Sequence, residues 1–218
     1  MATFPSSSPR TAATSTVGLR RRLRKIRKQR SPAQRRDAGR KLLKFVRRLP
    51  EFRRAKRVAA YLAVDGEIRA DGLLRRARQR GTETFVPRLR PGSRLVFVRW
   101  SPRQPVRKNR FRIAEPIDTL RLSPRRLDLV FVPLTGFDAH GHRIGMGGGF
   151  YDRSFAFRLG PRRRPLPRLI GLAFECQRVD ALPVQAWDVP LDAVLTERGV
   201  HRFQRQNTHS RPIPSTYE

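Results

Sequence analysis

The chain holds one cysteine, Cys176, in 218 residues. That scarcity excludes an intrachain disulfide framework and any metal site built from clustered thiolates. Acidic residues are few: 17 Asp and Glu stand against 49 Lys and Arg, a net charge of +32. No apolar run approaches the ~18 residues a membrane-spanning helix needs, and there is no internal repeat. The apolar fraction of 38% lies below the ~45–50% usual for globular domains, yet is too high for a wholly disordered chain. A chain of this length buries roughly 70% of its unfolded surface. One good-sized domain with tails, needing no disulfide or metal to hold it, is therefore expected, with the cytoplasm as its default compartment.

The excess of arginine concentrates anions, so phosphates, nucleic acid, acidic lipid and polyanionic metabolites are all admissible partners. The plainer reading is a compositional bias toward arginine that leaves a solvated basic shell. Residues 1–15 are rich in Ser, Thr, Ala and Pro and read as a tail. From there to Arg36 the chain is Arg-rich and acid-free, and such a Ser- and Arg-rich N-terminus also fits an organellar transit peptide, although the helix punctuation there argues against it. Residues 204–218 are polar, with two prolines, and read as a second tail. The expected domain spans 16–203.

Leu19, Leu23 and Ile26 mark an apolar stripe on a basic helix. Ser31-Pro32-Ala33-Gln34 predicts an N-cap with proline at the first helical position and a capping-box glutamine. The helix it opens carries Ala38, Leu42, Phe45, Val46 and Leu49 and ends before Pro50. Strands are expected at 58–62, at 84–86 (stopped by Pro87), at 95–98, 127–132, 169–174 and 193–195, with a helix around Leu73, Leu74 and Ala77 closed by Gly81. Alternating strands and helices predict an α/β fold: three layers, with a mostly parallel sheet flanked by helices and a site at the strands' C-terminal ends.

The informative segment is GFDAHGHRIGMGGGFYDR, 136–153. It leaves the strongest strand and enters a helix, so its glycines can turn backbone N–H groups toward an anion at a helix N-terminus. It is not a Walker A loop, lacking Lys-Ser/Thr, and its glycine spacing is not the dinucleotide-binding one. Glycine clusters also serve as simple turns. Arg143 can bind a phosphate bidentately. Asp152 can hold Mg²⁺ or merely complement the helix dipole. His140 and His142, with no third ligand in view, read as a polar loop rather than a metal site, and Cys176 as an ordinary thiol.

This block, with IGLAFECQ (170–177), WDVPLDAVLTE (187–197), YLAVDGEI (61–68), RFRIAEP (110–116) and LRRRLRKIRKQRS (19–31), closely resembles the 5-formyltetrahydrofolate cyclo-ligase family in order across about residues 16–203. The resemblance implies a fold of the NagB/RpiA/CoA-transferase kind. It also implies ATP- and Mg²⁺-dependent closure of 5-formyltetrahydrofolate to 5,10-methenyltetrahydrofolate, with release of ADP and phosphate.

By that resemblance, Thr16, Arg20 and the loop Arg143, Ile144, Gly145, Met146, Gly147, Gly148, Gly149, Phe150 and Tyr151 would meet ATP. Met146, Gly147, Gly148, Gly149 and Phe150 would also face the folate, with Leu62 beside the pterin and Glu67 accepting its hydrogen bonds. Arg143 and Tyr151 are the catalytic candidates, and Asp152 and Asp188 would hold Mg²⁺. Without the resemblance, Asp188 reads as a turn residue, Glu67 as a loop carboxylate and Arg20 as a solvated cation.

Three departures stand out. Thr16 replaces a lysine usual in the family, Arg69 and Ala70 replace an acid and a threonine, and Gly148 stands where some members carry a base. The competing expectation is a basic nucleic-acid-binding protein, resting on charge alone: no homeodomain, zinc-finger or RNP-type aromatic pattern supports it. Nonspecific attraction for RNA, and for a polyglutamylated folate, are further expectations of the positive field.

Overall fold

The computed structural model describes residues 15–109, 114–117, 120–160 and 167–203. The helices are α1 (Thr16–Lys28), α2 (Pro32–Val46), α3 (Pro50–Arg54), α4 (Asp71–Arg78) and α5 (Phe150–Phe155). The strands are β1 (Arg57–Ala60), β2 (Glu83–Arg90), β3 (Arg94–Arg99), β4 (Val106–Lys108), β5 (Ala114–Pro116), β6 (Arg121–Leu122), β7 (Leu129–Pro133), β8 (Gly136–Phe137), β9 (Arg143–Ile144), β10 (Arg168–Leu172), β11 (Ala193–Thr196) and β12 (Gly199–Arg202). Eight of them form one sheet in the order β12-β11-β10-β7-β1-β2-β3-β6. Its centre, β11 to β2, is parallel, and β12, β3 and β6 are antiparallel at the edges.

Alternate side chains of a strand point to opposite faces, and the core divides accordingly. Val58 and Ala60 of β1, Leu129 and Phe131 of β7 and Ile170 of β10 pack under Ala38 and Leu42 of α2, Phe52 of α3 and Leu74 of α4. Ala59, Val130, Leu169 and Val194 face the other way, onto Phe155 of α5 with Phe137, Val189 and Leu191. These are the three layers expected.

Local signals account for the helices. Ser31 Oγ accepts from the Gln34 N–H at 3.2 Å and the Gln34 side chain accepts from the Ser31 N–H at 2.8 Å, a complete capping box. α2 ends before Pro50, as expected, but already at Val46; Leu49 is the N-cap of α3, which Pro50 opens at its first turn. Pro87 does not stop β2. Pairing with β1 ends at Phe85, and from there β2 pairs only with β3, so a residue without an N–H is tolerated on the freed side. The expected tails fall outside the described residues, apart from Ser15, as do 110–113 of one family block.

The topology locates the crevice. β1 leads through α4 to β2, while β7 leads through α5 to β10 on the opposite side. β1 and β7 are parallel neighbours, with Val58 opposite Leu129 and Ala60 opposite Phe131. The chain therefore leaves their C-terminal ends in opposite directions, which opens a cleft between the two exits.

Candidate active site

Two segments leave that switch point. One, 61–68, follows β1 and is tied down by the Tyr61 hydroxyl donating to the Ile68 carbonyl at 2.8 Å. The other follows β7, forms the β8–β9 hairpin and continues as the glycine loop into α5. The hairpin turn is organised by Asp138, fully buried, whose carboxylate accepts from the N–H groups of His140 (2.9 Å), His142 (3.0 Å) and Leu182 (3.2 Å) and lies 2.9 Å from His142 Nδ1. The histidines thus belong to a polar turn, as expected. Among the described residues no group of three or more His, Cys, Asp or Glu is placed to hold a metal.

Met146, Gly147 and Gly148 are exposed at the cleft. Gly147 (φ +102°) and Gly149 (φ +59°) occupy backbone space that disfavours any side chain, and Gly149 is the N-cap of α5. The loop is braced from both sides. Arg20 of α1 donates Nε to the Gly145 carbonyl at 2.9 Å, and Arg153 donates to the carbonyls of Gly148 and Ser93. Thr16, one turn before Arg20, is half-buried at the helix start. Val17, rather than Thr16, lines a groove of about 730 Å³ that Arg20, Arg21, Arg24, Lys25 and Lys28 share with Met146. Ile144 buries its side chain with Leu19, Leu23 and Leu182, so its side chain is committed to packing.

Arg143 is nearly buried, bonding the Val189 carbonyl and donating to Asp152 Oδ1 at 2.7 Å. The Val189 N–H also reaches Asp152 Oδ1, at 3.2 Å. Arg143, Asp152 and the residue after Asp188 are thereby locked together, so the backbone next to Asp188 lies against Asp152. Asp188 Oδ2 accepts from the Gln185 N–H at 2.8 Å, closing the turn read from the sequence. Trp187 beside it is largely exposed. Two hard carboxylates suit Mg²⁺, which takes one or two protein acids and completes its shell with water and phosphate oxygens.

On the facing wall Glu67 is buried; its Oε2 accepts from the Val64 N–H at 3.1 Å. Burial pushes its carboxyl up to about 7, against the pull of the Val64 N–H and Arg27. The Tyr151 hydroxyl is buried with no hydrogen-bond partner among the described residues. Burial, and after it Glu67, raise its pKa, while Arg143 opposes them, so near neutrality it stays a proton donor. Its ring stacks on Phe155 at 6.2 Å. Leu62, half-buried, packs on the core under α2 to α4.

Sequence reasoning missed the hub that fastens α1 to this wall. Asp65, at φ +52°, receives Arg24 Nε at 2.8 Å, Arg27 at 2.9 Å and Lys28 at 2.6 Å. Burial works to raise the Asp65 pKa, but hydrogen bonds from Arg24 and Lys28 hold it at about 2. The available signal was spacing. Arg27 continues the Leu19–Leu23 series at i+4, and it, not the half-buried Ile26, completes the buried stripe.

Residues 12–197 match the model of the 5-formyltetrahydrofolate cyclo-ligase family. The chain is 36% identical to the 5-formyltetrahydrofolate cyclo-ligase of Haemophilus influenzae, over 81% of this chain and 95% of that protein. It is also 36% identical to the Escherichia coli protein of the same name, over 80% and 96%. The structure of Aquifex aeolicus 5,10-methenyltetrahydrofolate synthetase superposes with a TM-score of 0.72 at 30% identity, over 88% of this chain and 98% of that one.

Proposed function

This chain belongs to the 5-formyltetrahydrofolate cyclo-ligase family, and from that premise we propose how its cleft carries out the reaction. The protein is a ligase that converts 5-formyltetrahydrofolate to 5,10-methenyltetrahydrofolate, with ATP as co-substrate. In the proposed course the formyl oxygen attacks the γ-phosphorus and the bond to the bridging oxygen breaks, ADP leaving with the electron pair. N10 then attacks the formyl carbon, the C–O bond to phosphate breaks, and N10 gives up its proton. Such chemistry asks the protein mainly to align two substrates, neutralise spreading phosphate charge and exclude water.

The carrying observation is the meeting of the glycine loop and Glu67 across the β1/β7 switch point, each on its own exit from the sheet. The loop N–H groups at the start of α5, with Arg20, hold the ATP phosphates. Met146 to Phe150 also border the folate. Arg143, pinned by Asp152 and the Val189 carbonyl, presents a fixed cation to the transferring phosphoryl group. Tyr151 offers its neutral hydroxyl to the reacting oxygen. Glu67 accepts from the pterin N–H and amino donors, with Leu62 beside it. Asp152 and Asp188 would hold Mg²⁺, which supplies charge neutralisation on the phosphate oxygens. Thr16 supplies no charge at its corner, leaving Arg20 and its neighbours to do so.

The test is direct: protein mixed with 5-formyltetrahydrofolate, ATP and Mg²⁺ should build the near-ultraviolet absorbance of the methenyl product. Folded protein that binds neither substrate overturns the reading. Arg20→Ala should raise the KM for ATP roughly tenfold or more, the usual cost of losing a hydrogen bond to a charged group, and leave the KM for folate nearly unchanged. An equal rise in both would remove Arg20 from the nucleotide side.

The basic groove along α1 also suits the γ-linked glutamates of a polyglutamylated folate, and the same field attracts RNA nonspecifically. Lengthening the glutamate tail should lower the folate KM at low salt and much less at high salt. A KM independent of tail length would make the groove's charge incidental to the substrate.

A further inference from the structure

Arg27 is among the largest fully buried side chains of the protein, on a helix whose other face is solvated and basic. Burying a guanidinium is costly unless each of its faces meets an acceptor. Arg27 donates one terminal nitrogen to the Leu134 carbonyl at 3.2 Å, just beyond β7, and the other to Asp65 Oδ2 at 2.9 Å, in the loop after β1. It therefore clamps together the two chain exits that form the cleft. The nitrogen on Leu134 also stands 3.8 Å from Glu67 Oε1, while Arg27 Nε is buried without a partner among the described residues. α1 is fastened further by Arg24 and Lys28 to Asp65, by Leu19 and Leu23 on Ile144 and Leu182, and by Arg20 to the glycine loop.

We propose that Arg27 is a positioning residue for folate recognition: fixed by Asp65 and the Leu134 carbonyl, it sets the placement and countercharge of the Glu67 carboxylate that receives the pterin. The proposal rests on the reading of Glu67 given above. The titratable and charged groups facing Glu67 are Arg24 and Arg27 of α1, Asp65 of its own loop, Tyr61 beyond β1 and Tyr151 of α5. Arg27 and Asp65 act on it with opposite signs, the cation favouring the ionised carboxylate and the neighbouring acid opposing it. Arg27 is not itself required to touch the substrate.

The opposition of signs gives the experiment. kcat/KM for 5-formyltetrahydrofolate is measured against pH at saturating ATP for the wild type and for Arg27→Met, Arg27→Lys, Asp65→Asn and Glu67→Gln. The acid limb of Arg27→Met should move up by about one pH unit, which raises the folate KM roughly fivefold at neutrality and roughly tenfold on the acid side. Arg27→Lys should bring the limb back toward the wild type. Asp65→Asn should move it down by about half a unit, as removal of a like charge dictates.

If Arg27→Met does not fold, the lysine and Asp65→Asn proteins decide the matter. Limbs unmoved in both, or moved the same way by Arg27→Met and Asp65→Asn, overturn the proposal, because a merely structural clamp lowers kcat/KM without opposite shifts. Glu67→Gln separates the two failures. An unchanged folate KM there sinks the pterin reading and this proposal with it. A raised KM there, beside unmoved limbs in the others, sinks the Arg27 proposal alone.

Discussion

Asp152→Asn should lower kcat by about 10²–10³-fold, the scale seen when one fixed charge-stabilising group is removed from a transition state, while the thermal midpoint moves by only a few degrees. The substitution is close to isosteric. Asn keeps an acceptor oxygen for the Arg143 guanidinium and for the Val189 N–H, which meet Asp152 Oδ1 at 2.7 and 3.2 Å, so the link between α5 and the segment after Asp188 survives. What disappears is the negative charge. Arg143 then lacks its counterion, and Asp188 is left as the one carboxylate available to Mg²⁺ on that side. The Mg²⁺ concentration giving half-maximal rate should rise along with the fall in kcat. If Asp152 served only the α5 dipole, the change would cost ~0.3–1 kcal/mol of stability and no turnover. Wild-type kcat in the variant would remove it from the metal site.

The reading of Asp152 depended on the resemblance, and the structure explains why residues alone were not enough. An aspartate in the first turn of a helix is ambiguous between dipole and metal, and only the bonds to Arg143 and to the Val189 N–H tie it to the segment that follows Asp188. The layers were legible because burial on two faces leaves short unbroken apolar runs in β1, β7 and β10 and a helical period in α2. Pro87 was misread because the rule that proline stops a strand holds where both neighbours need an N–H, and pairing with β1 had already ended at Phe85. Short pieces such as β8, β9 and β12 left no periodicity to read. Arg27 was hidden for a different reason. With 49 Lys and Arg in the chain, one more arginine carries no compositional signal, and its meaning lies in a spacing that continues a leucine stripe into a charge. A polar residue on the buried stripe of a basic helix is the pattern to seek in chains of this composition, since its burial demands partners that must come from elsewhere in the fold.

Glu67→Gln should trade binding for stability, with a pH dependence fixed in sign. The folded-state pKa of Glu67 is pushed up to about 7 from the ordinary 4.5, chiefly by burial. Below about 4.5 the carboxyl is neutral both folded and unfolded and its burial carries no charge penalty. As pH rises toward and through 7 the unfolded chain ionises freely while the folded one must bury the charge, so stability is lost across that window. At 1.36 kcal/mol per unit the loss approaches about 3 kcal/mol above neutrality. Glutamine has no such transition. Chemical denaturation of the two proteins should therefore give similar midpoints near pH 4.5 and a clear advantage for the variant near pH 8.5, other titrating groups being common to both. Parallel stability curves at both pH values would mean that burial does not disfavour the charge. The cost falls on the substrate. A hydrogen bond to a charged acceptor is worth about 1.5–3 kcal/mol, so losing the carboxylate should raise the folate KM roughly tenfold to a hundredfold. A charge held inside the cleft against a stability penalty would have its physical explanation in the proposed pterin contact, whose N–H donors would add to the hydrogen bond from Val64.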